Sequence, residues 1–353
     1  MKIKFVDVIV LGSGPAGCTA SLYAKRAGLE VAMFNGNNPG GQLMITTDVE
    51  NYPGFDRITG PDLMIRMMDQ CKKLEVEMVE GNANLIVKTI NLLDRENFFT
   101  PEEKNTAKLH SFCIAKDKNI ISELGVLSKT PSQNIIYLAK AVIVATGAKA
   151  KWLGLKNETK LREMGGGVSG CATCDGFFYK GHNVAVIGGG NTAAEEALYL
   201  ANIAAKVYLI HRRDAMRCDD ILFKRILKNS KIEIIWDTVI EDMIISEQNK
   251  LSGLVLKNVK TGLESNLTVT GAFIAIGHIP NSEMIKDLVD IDKDGYVITS
   301  AGSTKTTCNG IFAAGDIQDK VFRQAATSVG TGCMAAIEAT EFINNLKFVD
   351  DAI

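Results

Sequence analysis

An α/β chain of two parallel-sheet domains, the second inserted into the first, is predicted by three features of the sequence. A strand, a glycine-rich turn, a helix and a second strand open the chain; the same order returns near residue 183; and three later strand-like runs each end in glycine with small neighbours. The 353 residues, 46% apolar and 23% charged, suffice for two ordinary domains with full cores. A formal net charge of -2 without long basic runs gives no electrostatic reason to expect nucleic acid or a membrane surface as partner. "MKIKFVDVIVLGSGPAG" breaks its apolar run at Gly12 with no small-residue cleavage pattern, so it reads as a buried strand rather than a signal peptide, and no later run reaches membrane-spanning length.

The first unit is "VDVIVLGSGPAGCTASLYAKRAGLEVAMFNG", with Gly12, Ser13, Gly14, Pro15, Ala16 and Gly17 forming the turn of a Rossmann-like βαβ fold. Gly12 permits the tight turn, Gly14 lets backbone amides approach a pyrophosphate, and Gly17 allows helix and strand to pack closely. The helix N-terminus then faces the phosphates. The ribose-reading position falls on Asn35, which lacks the usual carboxylate but keeps a side-chain carbonyl that accepts a hydrogen bond.

The second unit is "HNVAVIGGGNTAAEEALYLANIAAKVYLIHRRDAMR", with Gly188, Gly190 and Ala193 at the three small-residue positions and Asn191 and Thr192 opening its helix. Here the ribose-reading position falls on His211, and Arg212, Arg213 and Arg217 follow. Guanidinium forks suit a 2′-phosphate, so this register predicts NADPH over NADH.

Three further runs look like chain crossings beside a cofactor: "AVIVATGA", which contains Ala145, Thr146 and Gly147; "GAFIAIGHIPN"; and "GIFAAGDI", which contains Gly315 and Asp316. They set the expected domains at 1–150 and 278–353 for the first fold and 151–277 for the inserted one. The inserted domain also carries Cys171 and Cys174 in "CATCDG", directly ahead of its glycine turn. Half of a zinc site is the competing reading of such a pair, but no second pair lies at zinc spacing and none of His110, His182, His211 and His278 has a ligand-like companion nearby, so no metal is expected. Cys18, Cys71, Cys113, Cys218, Cys308 and Cys333 read as buried or half-buried packing residues, a usage that fits a reducing cytosol.

With these residues in place the chain closely resembles the low-molecular-weight thioredoxin reductases over nearly its whole length. The matching stretches include "GSGPAG", "GGQL", "VENYPGF", "CATCDG", "GGGNTAAEEALYL", "HRRDAMR", "AIGHIPN", "GIFAAGDIQD" and "RQAATSVGTGCMAA". The resemblance implies that the first site binds FAD and the second NADPH, that the active disulfide lies in "CATC", and that thioredoxin is the substrate of a homodimeric enzyme. Its flavin contacts fall on Gly12, Gly14, Gly17, Gly41, Gln42 and Asn51 in the first part of the chain. In the last part they fall on Asp316, which would hold a ribityl hydroxyl, and on Arg323, Gln324 and Ala325. Its NADPH contacts fall on Gly190, Asn191, Thr192, His211, Arg212, Arg213 and Arg217.

The chemistry fits those assignments. Thiol exchange needs a thiolate able to attack and a second sulfur close enough to resolve the mixed disulfide, and Asp175 is placed to move the proton. A flavin between hydride and disulfide converts one kind of two-electron transfer into the other. The resemblance further implies that Cys174 faces the flavin, that Cys171 attacks thioredoxin, and that the inserted domain rotates between half-reactions. The rival reading is a flavoprotein of the same fold serving another protein disulfide, such as a peroxidase partner; such chains carry an extra thioredoxin-like domain, which is not expected ahead of Met1. A stretch from about 91 to 133 is longer than in related chains and reads as a surface extension.

Overall fold

The computed structural model describes residues 2–46, 49–81, 83, 85–88, 112–115 and 135–350. They form two compact units, Met1–Lys149 with Pro280–Ile353, and Ala150–Ile279. The 91–133 stretch lies outside the described residues except for Phe112–Ala115.

The first unit opens with β1 (Lys2–Leu11), α1 (Pro15–Arg26) and β2 (Val31–Phe34), followed by α2 (Gly60–Lys73), β3 (Glu77–Val79), β4 (Leu85–Lys88), β5 (Phe112–Ala115) and β6 (Ile135–Val144). Its sheet runs β3-β2-β1-β6-β5-β4, with β1 parallel to both β2 and β6. A strand with partners on both sides, in a sheet covered on both faces, is apolar throughout. Val8 and Val10 accordingly enter one core cluster and Ile9 and Leu11 the other, and these four are at most 1% exposed. Met64 of α2 is buried in the first of these clusters, with Met67 and Met68 packed against it, as the "MIRMMDQ" spacing suggests.

The second unit begins as β7 (Ala148–Ala150) crosses into it, and contains α3 (Lys156–Glu163), β8 (Val168–Ser169), α4 (Ala172–Asp175), β9 (Asn183–Ile187), α5 (Asn191–Ala201), β10 (Lys206–Ile210) and α6 (Asp220–Lys228). Next come β11 (Ile232–Ile235), β12 (Thr238–Ile245), β13 (Leu251–Asn258), β14 (Glu264–Leu267) and β15 (Gly271–Ile274). A sheet ordered β11-β10-β9-β15-β8 is parallel at every pairing, and β12-β13-β14 form an antiparallel meander. Two core clusters again divide the faces of the central strand, Val184 and Val186 on one and Ala185 and Ile187 on the other. The chain returns through β16 (His278–Pro280) to β17 (Ile311–Ala313), which pairs with β6, and ends in α7 (Ala325–Asp350).

Candidate functional site

The two glycine turns repeat each other bond for bond. Gly12 N–H donates to Phe34 O at 2.8 Å and Gly188 N–H to Ile210 O at 3.1 Å, tying each turn to the end of the second strand. Ala145 N–H donates to Leu11 O and Ala275 N–H to Ile187 O, both at 2.8 Å. A Cβ on Gly12 would lie 2.3 Å from Ala145 O, and one on Gly188 would lie 2.4 Å from Ala275 O. Gly12 also holds φ +106°, a conformation that L side chains rarely adopt. Gly17 sits where a Cβ would meet Gly12 O at 1.8 Å, so α1 folds directly onto its own turn. Around Gly14 and Gly190, by contrast, no atom comes closer than 4.0 Å to a built Cβ, which leaves the backbone open to a ligand. These two glycines cap α1 and α5, and neither helix start receives a side-chain cap. Free N–H groups at such an end suit an anion.

In the first unit Asn35, Gly41 and Gly315 lie beside that turn, and other expected residues are held by bonds of their own. Ser13 Oγ donates to Asn35 O at 3.0 Å and accepts from Gly40 N–H at 3.0 Å. A Cβ on Gly41 would stand 3.5 Å from Gly14 Cα, and Gln42 follows it, exposed, in the single turn Gly41–Ile45. Asn35 is buried and its Oδ1 has no hydrogen-bond partner, an acceptor in need of a donor. Pro15 opens α1, and a Cβ on Gly315 would meet Ala16 Cβ at 2.9 Å. Thr146 Oγ1 donates to Asn281 O at 2.9 Å, while Asn281 donates to Thr146 O from its side chain and to Gly147 O from its backbone.

Asp316 accepts from Ser328 Oγ at 3.3 Å, and burial, with the charge of Asp319, pushes its carboxyl up to about 6. Asn51 Nδ2 donates to Gln324 Oε1 at 3.3 Å, which brings two distant loops together ahead of Ala325, where α7 starts. Arg323 takes φ +47° and donates from Nη1 to Lys320 O at 3.0 Å. The residues present therefore fit a dinucleotide: an open glycine turn, an orphaned acceptor at the ribose register and a half-buried carboxyl.

In the second unit, Arg217 N–H donates to Gly189 O at 2.7 Å and folds the arginine loop over the glycine turn. Asn191 secures it, accepting from Asp219 N–H at 2.9 Å and donating to Asp219 Oδ2 at 3.0 Å. His211 is 4% exposed with Nε2 unpartnered; burial and then the charges of Arg217, Arg213 and Arg212 hold it below its usual range, despite a backbone hydrogen bond involving Ala215. The charged imidazole is thus disfavoured, and the exposed arginines carry the charge of the loop. Gly189 was not among the expected site residues, yet a Cβ there would lie 2.1 Å from the His211 ring. Its signal was the triple glycine itself. Thr192 is half-buried in the first turn of α5.

Cys171 and Cys174 form a disulfide of 2.04 Å with Cα atoms 5.3 Å apart, closing the single turn α4. Cys174 N–H donates to Cys171 Sγ at 3.2 Å, Asp175 N–H to Cys171 O at 3.2 Å, and Cys171 N–H to Ser169 Oγ at 3.0 Å. Burial, followed by the Asp175 charge, raises the Tyr179 hydroxyl to about 12. Cys18, Cys71 and Cys308 are buried and Cys218 and Cys333 half-buried, all unbridged.

The family model of the pyridine nucleotide-disulphide oxidoreductases matches residues 6–332. The chain belongs to this family. Among curated relatives of this oxidoreductase, it is 45% identical over 346 residues to the thioredoxin reductase of Rickettsia conorii, covering 98% of this chain and 100% of that one. It is 42% identical over 348 residues to the thioredoxin reductase of Streptomyces coelicolor, at 98% and 96% coverage. The crystal structure of the thioredoxin reductase from Streptococcus pyogenes MGAS5005 is 37% identical with a TM-score of 0.79, covering 97% of this chain and 99% of that one.

Proposed function

We propose that this oxidoreductase is an NADPH-dependent, FAD-containing thioredoxin-disulfide reductase. The observation that carries the reading is the Cys171–Cys174 disulfide, built into the same compact unit as the glycine turn and arginine loop of a pyridine-nucleotide site. FAD held in the first unit supplies the conversion between a hydride and a dithiol. Gly12, Gly14 and Gly17 with the start of α1 receive its pyrophosphate, Asn35 Oδ1 accepts from a ribose hydroxyl, and Asp316 holds the ribityl chain. Gly41, Asn51, Arg323 and Gln324 complete that cradle. In the inserted unit Gly188, Gly190 and the start of α5 take the NADPH pyrophosphate, while Arg212, Arg213 and Arg217 take the 2′-phosphate beside His211.

The working dithiol follows from the two sulfurs. The Cys171 thiolate attacks one sulfur of the thioredoxin disulfide, forming a mixed disulfide and releasing the partner's other thiolate; Cys174 then attacks Cys171 Sγ, restoring the internal bond and freeing thioredoxin as a dithiol. Cys174 is the sulfur assigned to the flavin side, and Asp175 carries protons to and from the pair. Rotation of the inserted domain between half-reactions belongs to the same reading. Phe177 and Phe178, 63% and 46% exposed directly after the redox turn, support a protein as the disulfide substrate, because large exposed apolar side chains grouped together mark docking surfaces. Among the described residues no helix is long and apolar enough to cross a membrane, and we place the enzyme in a reducing cytosol as a homodimer.

NADPH consumption by the flavin-loaded protein, measured with and without oxidised thioredoxin beside Cys171→Ser and the Cys171→Ser, Cys174→Ser double variant, tests this. Consumption that requires thioredoxin and vanishes in both variants, while Cys171→Ser still lets NADPH bleach the flavin, is expected. Turnover that survives in Cys171→Ser refutes the assignment of the attacking sulfur, and flavin bleaching without any response to thioredoxin moves the substrate to another protein disulfide.

A further inference from the structure

Ala172 stands between the redox cysteines, and its backbone N–H donates to Glu196 Oε1 of α5 at 3.3 Å. Apolar packing surrounds this bond. Ala172 is 0% exposed in a cluster with Ala193, Ala197 and Leu200 of α5, and a Cβ on Gly176 would lie 2.9 Å from Leu200 Cδ2 and 3.2 Å from Tyr199 Cε1. The second carboxylate oxygen of Glu196 is shielded from solvent. The redox turn is therefore seated on the same helix whose start carries the pyridine-nucleotide glycines.

A one-turn helix has little holding it. Two of the contacts that close it, the disulfide and Cys174 N–H donating to Cys171 Sγ, change when the disulfide opens, which leaves Asp175 N–H to Cys171 O as the sulfur-free bond within the turn. The Ala172–Glu196 bond uses no sulfur, so opening the disulfide removes neither its donor nor its acceptor. We propose that Glu196 is a positioning residue: by holding Ala172 on α5 it keeps the two sulfurs within closing distance in the dithiol. Two thiols held together favour the disulfide, as in any ring closure with a high effective concentration. The consequence is a pair that gives up its electrons more readily. The inference rests on the reductase reading for its biological meaning only, since the equilibrium it concerns belongs to the cysteine pair itself.

The test is a titration of the flavin-loaded protein in dithiothreitol buffers. Each reduction is one exchange: the Cys171–Cys174 bond breaks, a dithiothreitol molecule becomes its cyclic disulfide, and two electrons and two protons pass to the protein. The dithiol fraction is read by alkylation of Cys171 and Cys174. Glu196→Ala removes the acceptor and suits a helix interior, so the variant keeps its fold; Glu196→Gln keeps an oxygen acceptor and drops the charge. For Glu196→Ala we expect about a tenfold shift of the equilibrium toward dithiol, a potential about 30 mV less reducing by the two-electron relation, with Glu196→Gln close to the parent. A potential unmoved in Glu196→Ala overturns the proposal. Equal shifts in Ala and Gln overturn it too, because they assign the effect to charge. Thioredoxin enters none of these measurements, so loss of thioredoxin turnover in the parent refutes the reductase reading alone.

Discussion

Asp316 shows how a single side chain reports what surrounds it. In the folded chain burial raises its carboxyl from an ordinary value of 3.8 to about 6, and one hydrogen bond from Ser328 does not offset the lost hydration. Well below the ordinary value of 3.8, at about pH 3 and lower, folded and unfolded states are both mostly protonated there and the group costs almost nothing. As pH rises past 6 the unfolded carboxylate is freely ionised while the folded one ionises in a poor environment, a penalty of about 3 kcal/mol for a carboxyl raised from 3.8 to about 6. Asp316→Asn is therefore expected to raise the thermal midpoint of flavin-free protein by a few degrees at pH 8, with the two proteins converging at about pH 3 and lower; equal midpoints at pH 8 contradict this. Tight retention of flavin by the same variant contradicts the ribityl role. The penalty is one that a bound hydroxyl donor relieves, which is the expected signature of a carboxyl kept for a ligand.

Glycines within one helix separate packing from propensity. Gly330 and Gly332 both lie in α7, but a Cβ at Gly330 meets nothing within 4 Å, whereas one at Gly332 would lie 2.3 Å from Ala16 O in α1. Gly330→Ala is expected to stabilise the protein by about 0.5–1 kcal/mol through helix propensity, and Gly332→Ala to destabilise it by about 1–3 kcal/mol by forcing α7 from α1. Urea unfolding of the flavin-loaded variants decides the matter, and a Gly332→Ala midpoint at or above that of Gly330→Ala rules out the close approach. The same pair marks what a sequence reveals. Gly12, Gly14, Gly17, Gly188 and Gly190 were legible because each turn lies between a strand and the helix it starts and the spacing repeats, although the atoms that crowd Gly12 and Gly188 belong to the distant Ala145 and Ala275. Gly332 was not, since the atom that forbids a side chain there belongs to Ala16, far along the chain, and Gly189 shows in the sequence only as the middle of the triple glycine. The Cys-x-x-Cys pair was legible from two residues of spacing, while Glu196 beside it depends on how α4 packs on α5.

At the scale of the whole molecule, one unit is continuous in sequence and the other is not. Residues 150–279 carry a complete parallel sheet, a meander and two core clusters of their own, built around Val184 to Ile187. A chain of that size with cores on both faces of its central sheet has what an independent domain requires. The first unit needs β17 and α7 from the far side of the insertion to finish its sheet and cover α1. Expressed alone, residues 150–279 are expected to unfold in a single cooperative transition and to bind adenosine 2′,5′-bisphosphate well ahead of adenosine 5′-phosphate, since the arginine loop is held by bonds internal to the unit: Arg217 N–H to Gly189 O at 2.7 Å and Asn191 to Asp219 at 2.9 and 3.0 Å. Arg213→Ala in that fragment is expected to erase most of the preference, about 10- to 100-fold at the 1.5–3 kcal/mol typical of a charged hydrogen bond. Calorimetry separates the outcomes. A fragment without a cooperative transition shows that the unit depends on the rest of the chain, and a folded fragment that binds both nucleotides equally shows that Arg212, Arg213 and Arg217 face solvent and leave the 2′-phosphate unread.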